Sequence, residues 1–223
     1  MGLKAKRQAL LTGGADVMVI QECSRPDMEQ FSSSQAWSSW WVGENQNKGL
    51  GVLVKVPWTI REAHALTPKW AAKLVIDGPS SMELFPVWAH KSKSPAIEYI
   101  EQVHLLLDVI EQTSLSPFTI VAGDFNSSSI WDTDYGIKNH SAAVDRFRKL
   151  GLESAYHYFS GDLQGTERYP TFWLRKKRDA PYHTDYAFLS RPLLSKLRNI
   201  AVGCCDDWLS LSDHAPVLVE LEV

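Results

Sequence analysis

The stretch Thr119-Ile120-Val121-Ala122-Gly123-Asp124-Phe125-Asn126 decides how this chain is read. Its β-branched and apolar residues run without a polar break, then meet a glycine, a carboxylate and an amide. A short apolar run bounded by a turn signal reads as a buried strand. Asp124 and Asn126 then stand at its carboxyl end. The same grammar recurs along the chain. Val17-Met18-Val19-Ile20 leads to Gln21-Glu22, and Val87-Trp88-Ala89 leads to His90. His183 and Asp185 open another apolar run; strand side chains alternate, so both are expected on one face. Ser212-Asp213-His214 precedes Ala215-Pro216-Val217-Leu218-Val219.

Outward from these runs, further strands are expected at 50–56, 73–77, 83–89, 171–174, 200–204 and 216–222. Pro86 weakens the third of them, since proline gives the ladder no donor. Residues 2–12 read as a short helix stopped by Gly13-Gly14. A longer helix is expected to open with Ser94 as cap and Pro95 in its first turn. It carries Ile100, Val103, Leu107 and Ile110 at helical spacing. Residues 141–150 make a second amphipathic helix. No linker, repeat or low-complexity tract interrupts the alternation, so residues 1–223 read as a single domain of mixed α and β structure. Two packed sheets flanked by helices satisfy that pattern.

The 223 residues are 44% apolar and 22% charged, which excludes disordered, collagen-like and coiled-coil chains. A chain of this length buries roughly 70% of its unfolded surface, so its core needs no staples. No stretch approaches the ~18 apolar residues of a membrane-spanning helix. Behind the basic Lys4–Arg7 the apolar segment is only Ala9-Leu10-Leu11, too short for a signal-peptide core. Lys6 stands where a myristoylation signal has Ser or Thr. Three cysteines, Cys23, Cys204 and Cys205, make no disulfide framework and fit a reducing cytosol, so the chain is read as cytoplasmic. The adjacent Cys204-Cys205 is expected to pack as small apolar side chains. Net charge is −3, so no global field draws the chain onto polyanions. A phosphate-rich substrate has to be held by a local patch or by a metal ion.

Taken singly, each strand-end residue has an ordinary reading as a turn residue or helix cap. His64, His104 and His140 read as surface histidines, and so does His157. Converging from several strands, however, carboxylates, an amide and histidines build one cleft. Oxygen-rich donors of this kind suit a hard cation, Mg²⁺ or Mn²⁺.

Gln21-Glu22, Gly123-Asp124-Phe125-Asn126, His183-Thr184-Asp185-Tyr186 and Ser212-Asp213-His214-Ala215-Pro216 resemble, in order and separation, the signature blocks of the endonuclease/exonuclease/phosphatase superfamily, the deoxyribonuclease-I-like fold. The resemblance runs from about residue 5 to the end. More narrowly, Asp124–Trp131, Ser154-Ala155-Tyr156-His157 and Tyr182–Tyr186 resemble a bacterial branch of it. The fold implied is a four-layer α/β sandwich (α+β), two mixed β-sheets packed face to face with helices outside. On matching positions, the resemblance makes Glu22 the principal metal ligand, with Asp213 beside the metal directly or through water. Asp124 and Asn126 orient the attacking water and hold the phosphate. His214 contacts the phosphate or takes the water's proton, with Asp185 polarising its ring. His90 stabilises the transition state or protonates the leaving group. Members of this superfamily normally begin with a strand ending in a pair such as Trp-Asn; here the chain opens at the helix that follows it. The resemblance therefore implies a missing first strand: either the start is truncated, or the protein works with a thinner metal site; weaker metal binding than in a complete relative is expected.

For substrate, Arg175, Lys176 and Lys177, with Arg178 and near His183, either grip a phosphate backbone or form a solvated hairpin tip. Trp37, Trp40 and Trp41 either stack on bases or fill the core. The reaction expected is metal-dependent phosphodiester hydrolysis by in-line attack of water, with nucleic acid as substrate for endo- or exonuclease action. A small phosphorylated metabolite or lipid headgroup is the alternative, and a binding protein that kept the fold without turnover is a third reading. No protein partner is readable.

Overall fold

The structure, a computed structural model, describes residues 3–66, 70–93, 96–97 and 99–223, with backbone only at 92–93 and 96–97. Helix α1 (Leu3–Thr12) stops at Gly13-Gly14, as the glycines predict; Gly2, where that helix was expected to begin, lies outside the described residues. Strand β1 (Val17–Cys23) follows, then α2 (Arg25–Ser32), capped by Ser24, whose Oγ accepts the Asp27 N–H at 3.1 Å. Strands β2 (Trp37–Asn45) and β3 (Lys48–Lys55) form a hairpin, and β3 also pairs with β1. The resulting antiparallel order is β1-β3-β2.

A six-stranded sheet begins with β4 (Thr59–Ala65), β5 (Ala72–Asp77) and β6 (Ser81–Trp88). After a small hairpin, β7 (Ser92–Lys93) with β8 (Ala96–Ile97), helix α3 (Tyr99–Ile110) buries Ile100, Val103, Leu107 and Ile110. The expected cap at Ser94 and Pro95 lies outside the described residues. Strand β9 (Thr119–Asp124) then runs parallel to β6. Next come α4 (Asp132–Tyr135), α5 (His140–Lys149), β10 (Leu152–Ser154) and α6 (Ala155–Ser160). A second small hairpin, β11 (Phe172–Trp173) with β12 (Pro181–Tyr182), leads into β13 (Asp185–Ser190). The chain closes with α7 (Arg191–Leu194), β14 (Leu197–Val202), α8 (Cys205–Trp208) and β15 (Val217–Leu221). The large sheet has the order β10-β13-β9-β6-β5-β4, and β14 pairs with β15.

Period-two alternation assigns each strand face to a layer. Val52 and Val54 of β3, with Val17 and Val19 of β1, meet Leu74, Ile76 and Leu84 of the large sheet. The β14–β15 pair covers the same sheet near Leu189 and Ile120. On the opposite face Phe85, Val87, Val121 and Phe188 pack under α3 and α5. The outer faces of β1 and β3 present Met18 and Leu53 to Leu3 of α1 and to Met28 and Phe31 of α2. Helices, six-stranded sheet, antiparallel ladders and helices thus form the four-layer α/β sandwich. Among the described residues, no helix is long and apolar enough to cross a membrane.

Several residues sit elsewhere than the sequence suggests. His104 is buried, its Nε2 bonded to the Asn139 carbonyl at 3.0 Å and its Nδ1 facing Arg146 Nη1 at 3.1 Å. His140 is buried too, between Ser127 Oγ at 2.9 Å and Gln164 Oε1 at 3.1 Å, and burial lowers its pKa to about 4. Both satisfy their ring nitrogens inside the protein, which is what admits a polar ring to a core. Conversely Cys204 is exposed and Cys205 partly so, because they lie at the start of the surface helix α8. Trp37, Trp40 and Trp41 all lie on β2 and pack into the cores on its two faces. Pro86 sits within β6: the ladder to β5 holds at Leu74↔Leu84 and again at Ala71↔Val87, and lapses at the proline between them.

Gly123 is what lets the two sheets approach beside Asp124. Its φ is 146°, and a Cβ there would stand 1.9 Å from the Val87 carbonyl oxygen and 2.7 Å from Gln21 Nε2. The space is used: Gln21 reaches from β1 and donates to that carbonyl at 3.1 Å. Gly123→Ala is expected to destabilise the fold by at least ~2 kcal/mol, lowering Tm by about 4–8 °C in a thermal melt.

Candidate active site

Register brings the central pair together. In the β9–β13 ladder Asp185 lies directly opposite Asp124, so two carboxylates face each other at the end of the sheet. Asp124 is buried. Burial, and then the charge of Asp185, raise its carboxyl well above the usual range, with His214 opposing. Both its oxygens are engaged: Oδ1 accepts the Asn126 N–H at 2.8 Å and Oδ2 accepts Asn126 Nδ2 at 2.6 Å. Asn126 Nδ2 also donates to the Ala89 carbonyl at 2.8 Å, so its two hydrogens are both spent within the protein.

Asp185 Oδ2 holds His214 Nδ1 at 2.9 Å and accepts Thr184 Oγ1 at 3.2 Å. Burial alone would depress the His214 imidazole. The charge and hydrogen bond of Asp185, with Asp124 and Asp213 behind it, outweigh that and push its pKa up to about 9. His214 is therefore an imidazolium at neutral pH, its Nδ1–H fixed on Asp185. The segment carrying it is clamped by backbone bonds, Trp173 N–H to Asp213 O and Ala215 N–H to Thr171 O, both 2.8 Å. Asp213 is partly buried, and its charge reaches both His214 and Lys6.

Ligand atoms of Asp124, Asp185 and His214 lie within 4.8 Å of one another, a group that can hold a cation. The carboxylate oxygens of Asp124 and Asp185 suit a hard divalent ion, whereas His214, while protonated, offers no lone pair to one. Glu22 stands beside this group rather than in it. It lies at a bulge of β1 between Ile20 and Cys23, with φ 57°, and its charge reaches Asp124. Its Oε1 is held by Lys48 Nζ at 2.7 Å. Asn126, at φ 47°, shares the left-handed conformation. Non-glycine residues held there are uncommon and gather at functional sites.

His90 follows β6. Its N–H donates to Gln102 Oε1 at 3.1 Å, its Nδ1 bonds the Lys91 carbonyl at 3.0 Å, and its ring lies tilted against those of Trp70 and Trp88, with centroids 3.7 and 4.6 Å away. The Nδ1 bond leaves Nε2 as the other nitrogen of that ring.

His183 does not share a face with Asp185. The strand breaks at His183-Thr184, where both the Thr184 and Asp185 N–H groups turn onto Thr171 Oγ1, at 3.0 and 3.1 Å. Strand β13 starts only at Asp185. His183 is instead buried against Tyr156, Tyr186 and His157, with Nδ1 donating to the Tyr169 carbonyl at 2.8 Å. Its Nε2 has no partner among the described residues, and burial lowers its pKa. His157 belongs to the same inner network, between Ser154 Oγ at 2.8 Å and Glu167 Oε1 at 3.1 Å.

Arg175, Lys176 and Lys177 lie on the tip between β11 and β12, with Arg175 and Lys176 both at positive φ. Arg175 and Lys177 are exposed, whereas Lys176 Nζ donates to the Ser210 carbonyl at 3.3 Å and Arg178 pairs with Asp206 at 2.5 Å. Sequence reasoning missed Thr171, Gln102 and Lys48, which position Asp185, His90 and Glu22. Gln21 carried a signal, its place next to Glu22; the other three carried none.

Compared with known proteins, residues 7–214 match the Endonuclease/Exonuclease/phosphatase family. The structure is similar to the 3′ phosphatase NExo from Neisseria bound to product DNA hairpin, with TM-score 0.72, 16% identity, and 99% of this chain and 95% of that one covered. It is similar also to an AP endonuclease from Archaeoglobus fulgidus, with TM-score 0.72, 15% identity, and 100% and 96% covered. At these identities the likeness is one of fold. No curated protein matches the sequence. The match over residues 7–214 settles the identity: the chain belongs to the Endonuclease/Exonuclease/phosphatase family, and it is a phosphoric ester hydrolase.

Proposed function

We propose that this hydrolase is a divalent-metal-dependent phosphodiesterase acting on nucleic acid. The observation that carries the reading is the facing pair Asp124–Asp185, with His214 fixed on Asp185 and Glu22 alongside. A phosphodiester is anionic and repels its nucleophile, so the site must supply positive charge where the pentacoordinate transition state concentrates negative charge. Glu22 and Asp213, beside the Asp124–Asp185 pair, would hold a divalent ion, Mg²⁺ or Mn²⁺, which would supply that charge at the phosphate. The residues do the rest. His214, protonated and locked by Asp185, donates from Nε2 to a non-bridging oxygen. Asp124, whose burial makes it a stronger base than an ordinary carboxylate, accepts the proton of the attacking water. Asn126 positions Asp124 and has no hydrogen left for the phosphate. His90, steadied by Gln102 and two tryptophans, offers Nε2 near the leaving group.

The nucleic-acid choice is supported by the DNA hairpin bound in one structural neighbour and by the exposed Arg175 and Lys177 on the β11–β12 tip. Net charge of −3 leaves the binding to that local patch and the metal.

Supercoiled plasmid is expected to be nicked in Mg²⁺ or Mn²⁺ and left intact in a chelator. Asp124→Asn should lower the rate about 10²–10³-fold. Glu22→Gln should raise the metal concentration for half-maximal rate about tenfold or more. Hydrolysis of small phosphomonoesters with no nicking would overturn the nucleic-acid reading. The pH profile gives a second check. A protonated His214 is lost as pH rises, so kcat/KM falls on the alkaline side. Asp185→Asn removes the group that raises this pKa and should shift that limb down by about one unit or more.

A further inference from the structure

Lys48 opens β3 at the end of the β2–β3 turn, where it pairs with Asn45. The turn is built firmly: Asn45 Oδ1 accepts the Asn47 N–H at 3.0 Å, and the Gln46 carbonyl accepts the Arg25 N–H at 2.8 Å. Arg25 lies three residues after Glu22, so the turn is tied to the segment that carries this carboxylate. The ammonium of Lys48 is thereby set 2.7 Å from Glu22 Oε1 and 5.1 Å from the centre of the Trp88 ring. Trp88 stands opposite Asp124 in the β6–β9 ladder, and its ring lies 4.6 Å from that of His90. The ammonium therefore sits at the mouth of the site.

As a staple the pair contributes little, because both side chains are more than half exposed, at 52% and 60%. Its consequence is electrostatic. A divalent ion approaching Glu22 meets an ammonium already on the same carboxylate, and two cations on one oxygen repel. Lysine is a point charge on a flexible four-carbon stem. It can leave Glu22 without disturbing the turn, and a phosphate bound in the site would offer it a new anion. We infer that Lys48 exchanges partners: it competes with a divalent ion for Glu22, and where the ion would hold that carboxylate the ammonium grips the substrate phosphate. This rests on the proposed function for the roles of Glu22 and the phosphate.

Two readouts on the full-length chain test the exchange, with Lys48→Met removing the charge and Lys48→Arg keeping it. Titration calorimetry with Mn²⁺ alone should show Lys48→Met binding the ion about three- to tenfold more tightly than the unaltered chain. Binding of a single-stranded oligonucleotide in Ca²⁺ should weaken in the same variant, with its salt dependence reduced by about one phosphate contact. Lys48→Arg should restore both. A merely structural lysine would not move the two affinities in opposite directions. Unchanged or weaker Mn²⁺ binding by Lys48→Met overturns the inference, as does an unchanged salt dependence. Failure of the nucleic-acid reading shows separately, as no oligonucleotide binding by the unaltered chain. Inorganic phosphate then replaces the oligonucleotide as probe, and weaker phosphate binding by Lys48→Met is again required.

Discussion

Two carboxylates set opposite each other at the end of a sheet are the constraint on which the site depends. Asp124 and Asp185 are paired by the β9–β13 register, and the arrangement is relieved by a neighbouring cation and by the raised pKa of Asp124. His214 is the cation the protein itself provides, drawn up to a pKa of about 9. Asn126 adds two donated hydrogen bonds to Asp124. The carboxylate oxygens gathered there suit a hard cation, and their meeting is written into the strand pairing.

The scaffold is organised to hold that pair still. Thr171 Oγ1 catches the two N–H groups at the point where β13 begins and so aims Asp185. Backbone bonds with Trp173 and Thr171 fix the Asp213-His214 segment against β11. Gln21 bridges from β1 to β6 over Gly123, which joins the Glu22 bulge to the Asp124 turn across the sheet interface. Behind β13 a second polar network, His140, His157, His183 and Glu167, braces the loop that precedes β11. Its histidines face the inside of the protein, and their ring nitrogens serve packing.

Much of the scaffold was legible because burial imposes pattern. Apolar runs at β1, β3, β5, β6, β9 and β13 announced strands, and α3 and α5 showed helical spacing. Strand β2 escaped because Ser38, Ser39 and Gly43 break its apolar run, although Trp37, Trp40 and Trp41 pack on both of its sides. The surface readings of His104 and His140 failed for a related reason. A histidine's sequence position does not tell whether Arg146, Ser127 or Gln164, distant in the chain, will satisfy its ring.

By itself the sequence determined the class of fold, the family, and the strand ends at which Glu22, His90, Asp124, Asn126, Asp185, Asp213 and His214 would stand. These follow from local pattern, which each segment carries whole. Tertiary structure alone decided what those residues meet. It turned His183 inward while Asp185 faced His214, spent the hydrogens of Asn126 on Asp124 and Ala89, and laid Lys48 on Glu22. Such choices depend on register and on the close approach of separate strands. No stretch of chain encodes them alone, because each contact is fixed by backbone on both of its sides.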